Sequence, residues 1–546
     1  MRRWNGWGDD SIDVSLDREA LRFLEERIGP GMQPKDATLE EACRAIPPSR
    51  LQPHPRIDTT PQTRLRHGFG QSMHDWLRLR YGKIGRLPDG VAFPESSQDV
   101  RDLLDYAAAC HARVIPYGGG TSVVGHLDAP SGEQPVLSID LSRLSRLLDL
   151  DPEAQLATFG AGIAGPDLEA QLRAHGYMLG HFPQSFEYST LGGWVVSRSS
   201  GQQSLRYGRI EQLFAGGRVE TPTGTLRIPT FPASAAGTDL REMVLGSEGR
   251  IGILTEATVR ITPLPADESF HAVFFPDWAT AEQALRSIAQ AKLPLSLLRL
   301  SNATETLTTL TLAGHKKLIG LLESYLRWRG CGDDKCLLLI GATSQKGQRF
   351  SALDDALRIA RAWHGVHAGQ MIGRKWKANR FRSVYLRNAL WQHGYAVDTV
   401  ETAVDWPRVK QMMQAVEQAA SDALAHEGER LHAYTHLSHI YAQGASVYTT
   451  FAYRLAGNFE QDLARWRRLK AAASEAIVAN GGTISHQHGV GTDHAPYLAA
   501  EKGELGIGAM RQLYRHFDPQ GIMNPGKTIP DASTAEDGSH VARKLA

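Results

Sequence analysis

Cysteine is scarce in this chain: Cys43, Cys110, Cys331 and Cys336 are the only four in 546 residues. That excludes a disulfide-stapled fold. Cys331 and Cys336 have no second pair to complete a tetrahedral metal set, so they read as two reduced thiols in a loop. Long apolar runs are also missing, and none reaches the ~18 residues a membrane span needs. Neither sign of charge is in excess: 60 Lys+Arg against 59 Asp+Glu leave +1 at pH 7. Neither nucleic acid nor an anionic membrane therefore has an electrostatic claim as partner. The opening MRRWNGWGDDS has no apolar stretch behind its arginines, as a secretory leader would, and the closing RKLA is not an SKL-type address. These absences predict a cytoplasmic protein.

What is present is ordinary globular material, 42% hydrophobic and 22% charged, long enough for three or four domain-sized units. The segment 47–64 (PPSRLQPHPRIDTTPQTR) reads as an irregular linker. PESSQDVRDLLDYAAACHA reads as an amphipathic helix with Ser96 and Asp99 in capping-box positions. RVIPYGGGTSVVG follows as a strand breaking into glycines, and a further helix opens at Pro166. From about residue 267 longer helical patterns take over, interrupted by strand-like ASVYTTFAYR. The expected division is an extension over 1–85, an α+β domain over 86–266, a second α+β domain over 267–475, a segment returning over 476–530 and a flexible tail over 531–546.

In PYGGGTS the missing Cβ atoms let backbone approach a pyrophosphate closely with several N–H groups aimed at it. The loop is neither GxGxxG nor a Walker loop, and alone it is no more than a tight turn. Downstream, QSFEYSTLGGWVVSRSSG and GSEGRIGILTEATV gather hydroxyls and glycines beside apolar strands. The three motifs, in this order, resemble the PCMH-type FAD-binding domain of the vanillyl-alcohol-oxidase superfamily. Within it the chain resembles most the alkyldihydroxyacetonephosphate synthases, through the Trp and Arg of GGWVVSRSSG and through RWNGWG, SLLRLSN, VYLRNAL and GGTISHQHGVG.

The resemblance implies an α+β fold: a two-subdomain FAD-binding domain, an α+β cap that holds the substrate, and a C-terminal segment that returns to the flavin. It implies FAD contacts at Pro116, Tyr117, Gly118, Gly119, Gly120, Thr121 and Ser122, then at Gln184, Ser185, Phe186, Glu187, Tyr188, Ser189 and Thr190. Further contacts are implied at Ser197, Arg198, Ser199 and Ser200, and at Glu248, Gly249, Arg250, Ile251, Gly252, Ile253 and Leu254. His126 is placed where other members of the superfamily tether flavin covalently, but the synthase branch binds FAD without a tether.

The implied reaction exchanges the acyl group of acyl-dihydroxyacetone phosphate for a long-chain alcohol through an adduct at flavin N5, with no net redox. It needs a phosphate anchor, an acid–base group and donors near developing charge. By resemblance the anchor is Arg387, whose guanidinium suits a phosphate. Arg299 is a second functional arginine, and its apolar surroundings call for a ligand or a carboxylate partner. Tyr453 matches the catalytic tyrosine, though its phenol, near pKa ~10 when unperturbed, would need nearby cations or imidazoles to act as a base. The implied partners are a phosphorylated, lipid-like small molecule and a fatty alcohol; peripheral membrane contact and a homodimer stay open.

SHQHGVG carries two histidines at i and i+2. On an extended strand these share one side, and His486 and His488 would face the substrate while Gln487 turns away. No third and fourth ligand at HExxH or CxxC spacing accompanies them, so no metal is expected. The synthases carry three consecutive histidines here. Gln487 cannot take up a proton, and DPQGIMNPGK resembles the superfamily's hydroxyacid dehydrogenases. Three readings stay open: the synthase, an FAD-dependent 2-hydroxy-acid dehydrogenase or oxidase, and a flavin-binding scaffold without catalysis.

Overall fold

Ser96 caps the helix Ser97–Ala109 by accepting from Asp99 N, and the Asp99 carboxylate accepts from Ser96 N in return. The helix packs Val100, Leu103, Leu104 and Ala107 against Val114, Leu137 and Ile139 of a small sheet. This computed structural model describes residues 1–312, 316–347 and 350–530; the expected tail, 531–546, lies outside them. The small sheet runs, in spatial order, Ile57–Asp58, Gly90–Ala92, Val136–Asp140 and Arg113–Tyr117, and its last two pairings are parallel. The segment expected to be an irregular linker thus supplies an edge strand, and the helix Pro61–His67 begins within it. Proline suits that first helical turn, where its missing N–H is not needed.

A second sheet is antiparallel and five-stranded, in the order Leu147–Asp151, Leu156–Gly160, Ile253–Arg260, Phe214–Thr221, Gly224–Ile228. These two sheets are the two subdomains expected of a PCMH-type domain. The cap is a seven-stranded antiparallel sheet: Val366–His367, Asp267–Phe275, Cys336–Ser344, Leu297–Ser301, His432–Leu437, Gly444–Arg454, Tyr395–Asp405. Its last two strands pair over all their residues, with the helices Trp406–Ala425 and Phe459–Ala479 laid alongside. One apolar cluster runs from Phe159 and Phe214 to Phe275 and Phe451, so burial of shared surface holds cap and flavin half together.

The C-terminal segment returns to the first sheet. Val114 N donates to Ile522 O and Asn524 N to Val114 O, both at 2.8 Å. The N-terminus docks too: Asn388 accepts from Trp7 N at 3.2 Å and donates to Trp7 O at 3.0 Å. Cys331 and Cys336 are free thiols. Cys336 opens a strand instead of sitting in a loop, and burial pushes its thiol up to about 12, which leaves it inert. Among the described residues no helix is long and apolar enough to cross a membrane.

Candidate active site

A cavity of about 630 Å³ lies where cap, flavin half and C-terminal segment meet. Its floor is the Pro116–Ser122 loop. At Gly118 a Cβ would stand 2.3 Å from Thr190 Oγ1, and at Gly119 it would stand 1.7 Å from Tyr188 O. Gly120 takes the left-handed conformation, φ 59°, which glycine adopts without strain. The loop therefore lies flush against the 184–190 stretch, and no side chain fits between them. Trp194 Nε1 donates to Ser189 Oγ at 2.7 Å, and the Thr190 hydroxyl caps the helix Leu191–Ser197, which fixes that stretch in turn.

Of the residues expected at the cofactor, the whole 116–122 loop, Gln184, Ser185, Ser189, Thr190, Ser197, Ser199, Ser200, Glu248, Gly249, Gly252, Ile253 and Leu254 line the cavity. Six stand away from it. Phe186 stacks on Phe381, Glu187 accepts from Tyr385 and Tyr188 packs edge-on to Trp7. Arg198 turns outward to Glu242, Arg250 donates to Asn524 O, and Ile251 is core. The reason is local: 186–188 lie in a run of turns and 250–251 in a bend, whose side chains go to neighbouring elements while the residues on either side face the cavity. Glu248 accepts from Val490 N and Gly491 N, so it also anchors the histidine segment.

The residues present suit a dinucleotide. The floor is bare backbone, and at the wall Ser200 Oγ and Asn524 Oδ1 are buried without a hydrogen-bond partner among the described residues. Buried polar atoms of this kind normally find one.

On the cap side Arg387 crosses over the Trp76 ring, 4.3 Å from its centroid, and donates through Nη1 to Gln71 O at 2.6 Å. Its Nε and Nη2 are buried with no acceptor among the described residues, an expensive condition for a cation unless a ligand completes it. Arg299 has the carboxylate its surroundings demand: Nη2 donates to Glu305 Oε1 at 2.6 Å, and His436 Nδ1 lies 3.1 Å from both Arg299 Nη2 and Glu305 Oε2. Burial alone would raise the Glu305 carboxyl; Arg299 and His436 instead hold it down to about 2. His436 stacks on Tyr448 at 4.8 Å, and Tyr448 stands edge-on to His488 at 5.8 Å. Arg299, Glu305, His436, Tyr448 and His488 all line the cavity.

Tyr453 does not. Tyr448 and Thr450 share the cavity face of the strand Gly444–Arg454, and alternation turns Tyr453 into the core beside Phe451. Burial first, then the Asp398 and Asp462 carboxylates, push its phenol well above the ordinary value, against Arg387 and Arg465. In this state it keeps its proton. The extended geometry expected for SHQHGVG is also absent, because residues 486–488 form consecutive bends. The turn is paid for by Gly489, φ 80°, and by His486 N donating to Glu401 O at 3.0 Å. As a result Gln487 and His488 face the cavity, while His486 points behind it. Burial lowers the His488 imidazole, so it stands neutral.

Sequence reasoning missed Trp7, Gln71, Glu305, His436 and Tyr448, all of which line the cavity or hold a residue that does. It also missed Glu401, which the fold brings together with His439 and His486. The one available signal was the i, i+3 histidine pair of THLSH.

Comparison with known proteins decides the family. Residues 88–228 match the FAD binding domain model, and residues 264–528 match the FAD linked oxidases, C-terminal domain. The alkyldihydroxyacetonephosphate synthase of Dictyostelium discoideum is 31% identical over 97% of this chain and 93% of its own. The chain belongs to the alkyldihydroxyacetonephosphate synthase family. The Trypanosoma brucei brucei synthase is 29% identical over 98% of this chain and 93% of its own. A solved alkyldihydroxyacetonephosphate synthase structure superposes with a TM-score of 0.82 at 28% identity, covering 96% of this chain and 98% of that one. This member of the synthase family is an FAD protein.

Proposed function

We propose that this chain exchanges the acyl group of acyl-dihydroxyacetone phosphate for a long-chain alcohol, releasing a fatty acid and forming an ether without net oxidation. The observation that carries the reading is Arg387: a buried guanidinium with two unpartnered nitrogens, in a cavity that also holds a bare-backbone cradle. The rest of the wall suits an alkyl chain, with Leu297, Trp376, Val384, Leu386, Leu390 and Val397 facing the cavity. The full-length likeness to synthases favours this over the hydroxyacid dehydrogenase.

Bound FAD supplies the electron sink; the loop Pro116–Ser122, Ser199, Ser200 and Asn524 would hold it. Arg387 takes the substrate phosphate in place of water, with Nε and Nη2 donating. Arg299, braced by Glu305 and Ser301, presents a second fixed charge. His488, neutral and cavity-facing, takes the C1 proton, which an imidazolium could not do. Tyr448, a cavity-lining phenol that burial keeps protonated, is the donor available as the carboxylate leaves. Incubating the flavin-loaded protein with palmitoyl-dihydroxyacetone phosphate and hexadecanol should give ether and palmitate in equal amounts by mass spectrometry. Absence of the ether contradicts the reading.

Peripheral membrane contact belongs to the same reading. What supports it is the helix Lys316–Trp328, whose Leu318, Leu321, Tyr325 and Trp328 form an exposed stripe at i, i+3, i+7 and i+10. Leu326 of the same helix is buried inward, and Lys317, Arg327 and Arg329 are exposed basic residues beside the stripe. This pattern is that of an interfacial helix. Leu321→Glu/Trp328→Glu should lower sedimentation with phosphatidylcholine–phosphatidylserine vesicles by about 10²-fold, since each apolar side chain contributes ~1.5–3 kcal/mol when buried. Unchanged sedimentation removes this contact from the account.

A further inference from the structure

Four side chains converge on one buried carboxylate. Glu401, in the strand Tyr395–Asp405, is 1% exposed. Ser438 Oγ donates to its Oε1 at 2.8 Å, and the Nδ1 atoms of His439 and His486 each lie 3.3 Å from the same oxygen. Gln487 Nε2 donates to Oε2. Ser438, His439 and Gln487 line the cavity, whereas Glu401 and His486 stand behind it. The cluster also spans the two halves of the molecule. His439 Nε2 faces Gly201 O at 3.2 Å, and Arg209 Nη2 donates to His486 O at 2.9 Å and to Arg198 O at 3.2 Å.

Two imidazoles and a carboxylate with donor atoms all within 4.8 Å of one another are also a ligand set for a metal ion. The far side of His486 decides between ion and proton. Its Nε2 meets Arg209 Nη1 at 2.6 Å and Tyr441 Oη at 2.7 Å. A guanidinium can only donate, so Nε2 accepts, and the single proton of the neutral ring sits on Nδ1, 3.3 Å from Glu401 Oε1. A metal there needs a bare Nδ1 and an outer N–H handed to an acceptor. Arg209 supplies the opposite polarity.

Resting on the synthase reading of the cavity, we propose that Glu401 is a positioning residue. Its charge faces the Nδ1 side of His486, whose tautomer Arg209 sets from the other side, and it braces His439, with Gln487 clamping its second oxygen, so that His488 is the imidazole of this segment that meets the substrate. Gln487 then stands where the synthases carry a histidine because the position here calls for a fixed N–H donor to Glu401, not for a titrating group. His486 is a strut between cap and flavin half.

Glu401→Gln keeps the shape and removes the charge. In the flavin-loaded protein kcat should fall about 10- to 10²-fold, with KM for the acyl substrate changed less than about threefold and flavin content intact. Glu401 favours the charged form of both His486 and His488, so its loss should move the acid limb of the rate profile to lower pH, a shift that a purely structural defect would not give. Gln487→Leu should reproduce both effects, and Gln487→His, which offers a ring N–H to the same oxygen, should lose less. An unchanged rate and pH profile in Glu401→Gln overturns the proposal. So does normal turnover per bound flavin in an unstable protein, or a stoichiometric metal that the variant loses. A readout independent of the reaction is a low-field imidazole proton resonance, removed by His486→Gln and displaced by Glu401→Gln. Were the wild type inactive in ether formation, the synthase reading would fall while this resonance still tested the tautomer; its absence from the wild type overturns the tautomer.

Discussion

Gly119→Ala will yield protein without bound flavin. The added Cβ would stand 1.7 Å from Tyr188 O and 2.6 Å from Tyr188 C, far inside van der Waals contact. Both atoms are backbone, so no rotamer change relieves the clash. Nor is the stretch free to retreat: Tyr188 N and Ser189 N both donate to Ser185 O at 3.0 Å, and Ser189 O accepts from Gly165 N at 3.2 Å. The loop itself must lift by roughly 1–2 Å, which withdraws the N–H groups from a pyrophosphate, and interiors this dense do not absorb such shifts. The ratio of visible flavin absorbance to protein absorbance should drop at least about tenfold. Gly320→Ala, where nothing lies within 4 Å of the new Cβ, should keep full flavin. A flavin-replete Gly119→Ala protein would mean that the loop is not the cradle.

Arg387→Ala should lower kcat/KM for acyl-dihydroxyacetone phosphate by about 10³-fold, since a buried, charge-assisted contact is worth ~2–5 kcal/mol on truncation. Flavin content should be unchanged, because Arg387 approaches the cavity from the cap and is held by Gln71 O and Trp76. Arg387→Lys should recover little: an ammonium neither stacks on the indole in the same way nor donates from a planar fork. Acyl-dihydroxyacetone, which lacks the phosphate, should lose far less than the phosphorylated substrate. Equal losses on both substrates, or loss of flavin, would place Arg387 elsewhere in the mechanism.

How far the chain itself revealed this follows from the range of each interaction. The glycine cradle was legible because its requirement is local: close backbone approach excludes side chains at consecutive positions, and PYGGGTS states that directly. The Ser96 capping box is local in the same sense. Arg299 could be assigned a carboxylate partner but not Glu305 by name, since the pairing depends on how a helix follows the strand Leu297–Ser301. Tyr453 and SHQHGVG show where pattern runs out. The face a tyrosine takes depends on pairing register across the sheet, and the direction of His486 depends on a bend held by Glu401, 85 residues earlier in the chain. No periodicity encodes a contact of that kind, and the place of Gln487 follows only from its amide on Glu401.

The central claim is that the bound flavin works without net reduction. The direct measurement is the visible spectrum of the flavin-loaded protein under anaerobic conditions, followed during turnover. With acyl-dihydroxyacetone phosphate and a fatty alcohol, fatty acid should accumulate over many turnovers while the oxidised flavin spectrum returns fully once substrate is exhausted, with no electron acceptor present. Lasting bleaching by a 2-hydroxy acid that only an added acceptor reverses, with no fatty acid released from the acyl substrate, would contradict it.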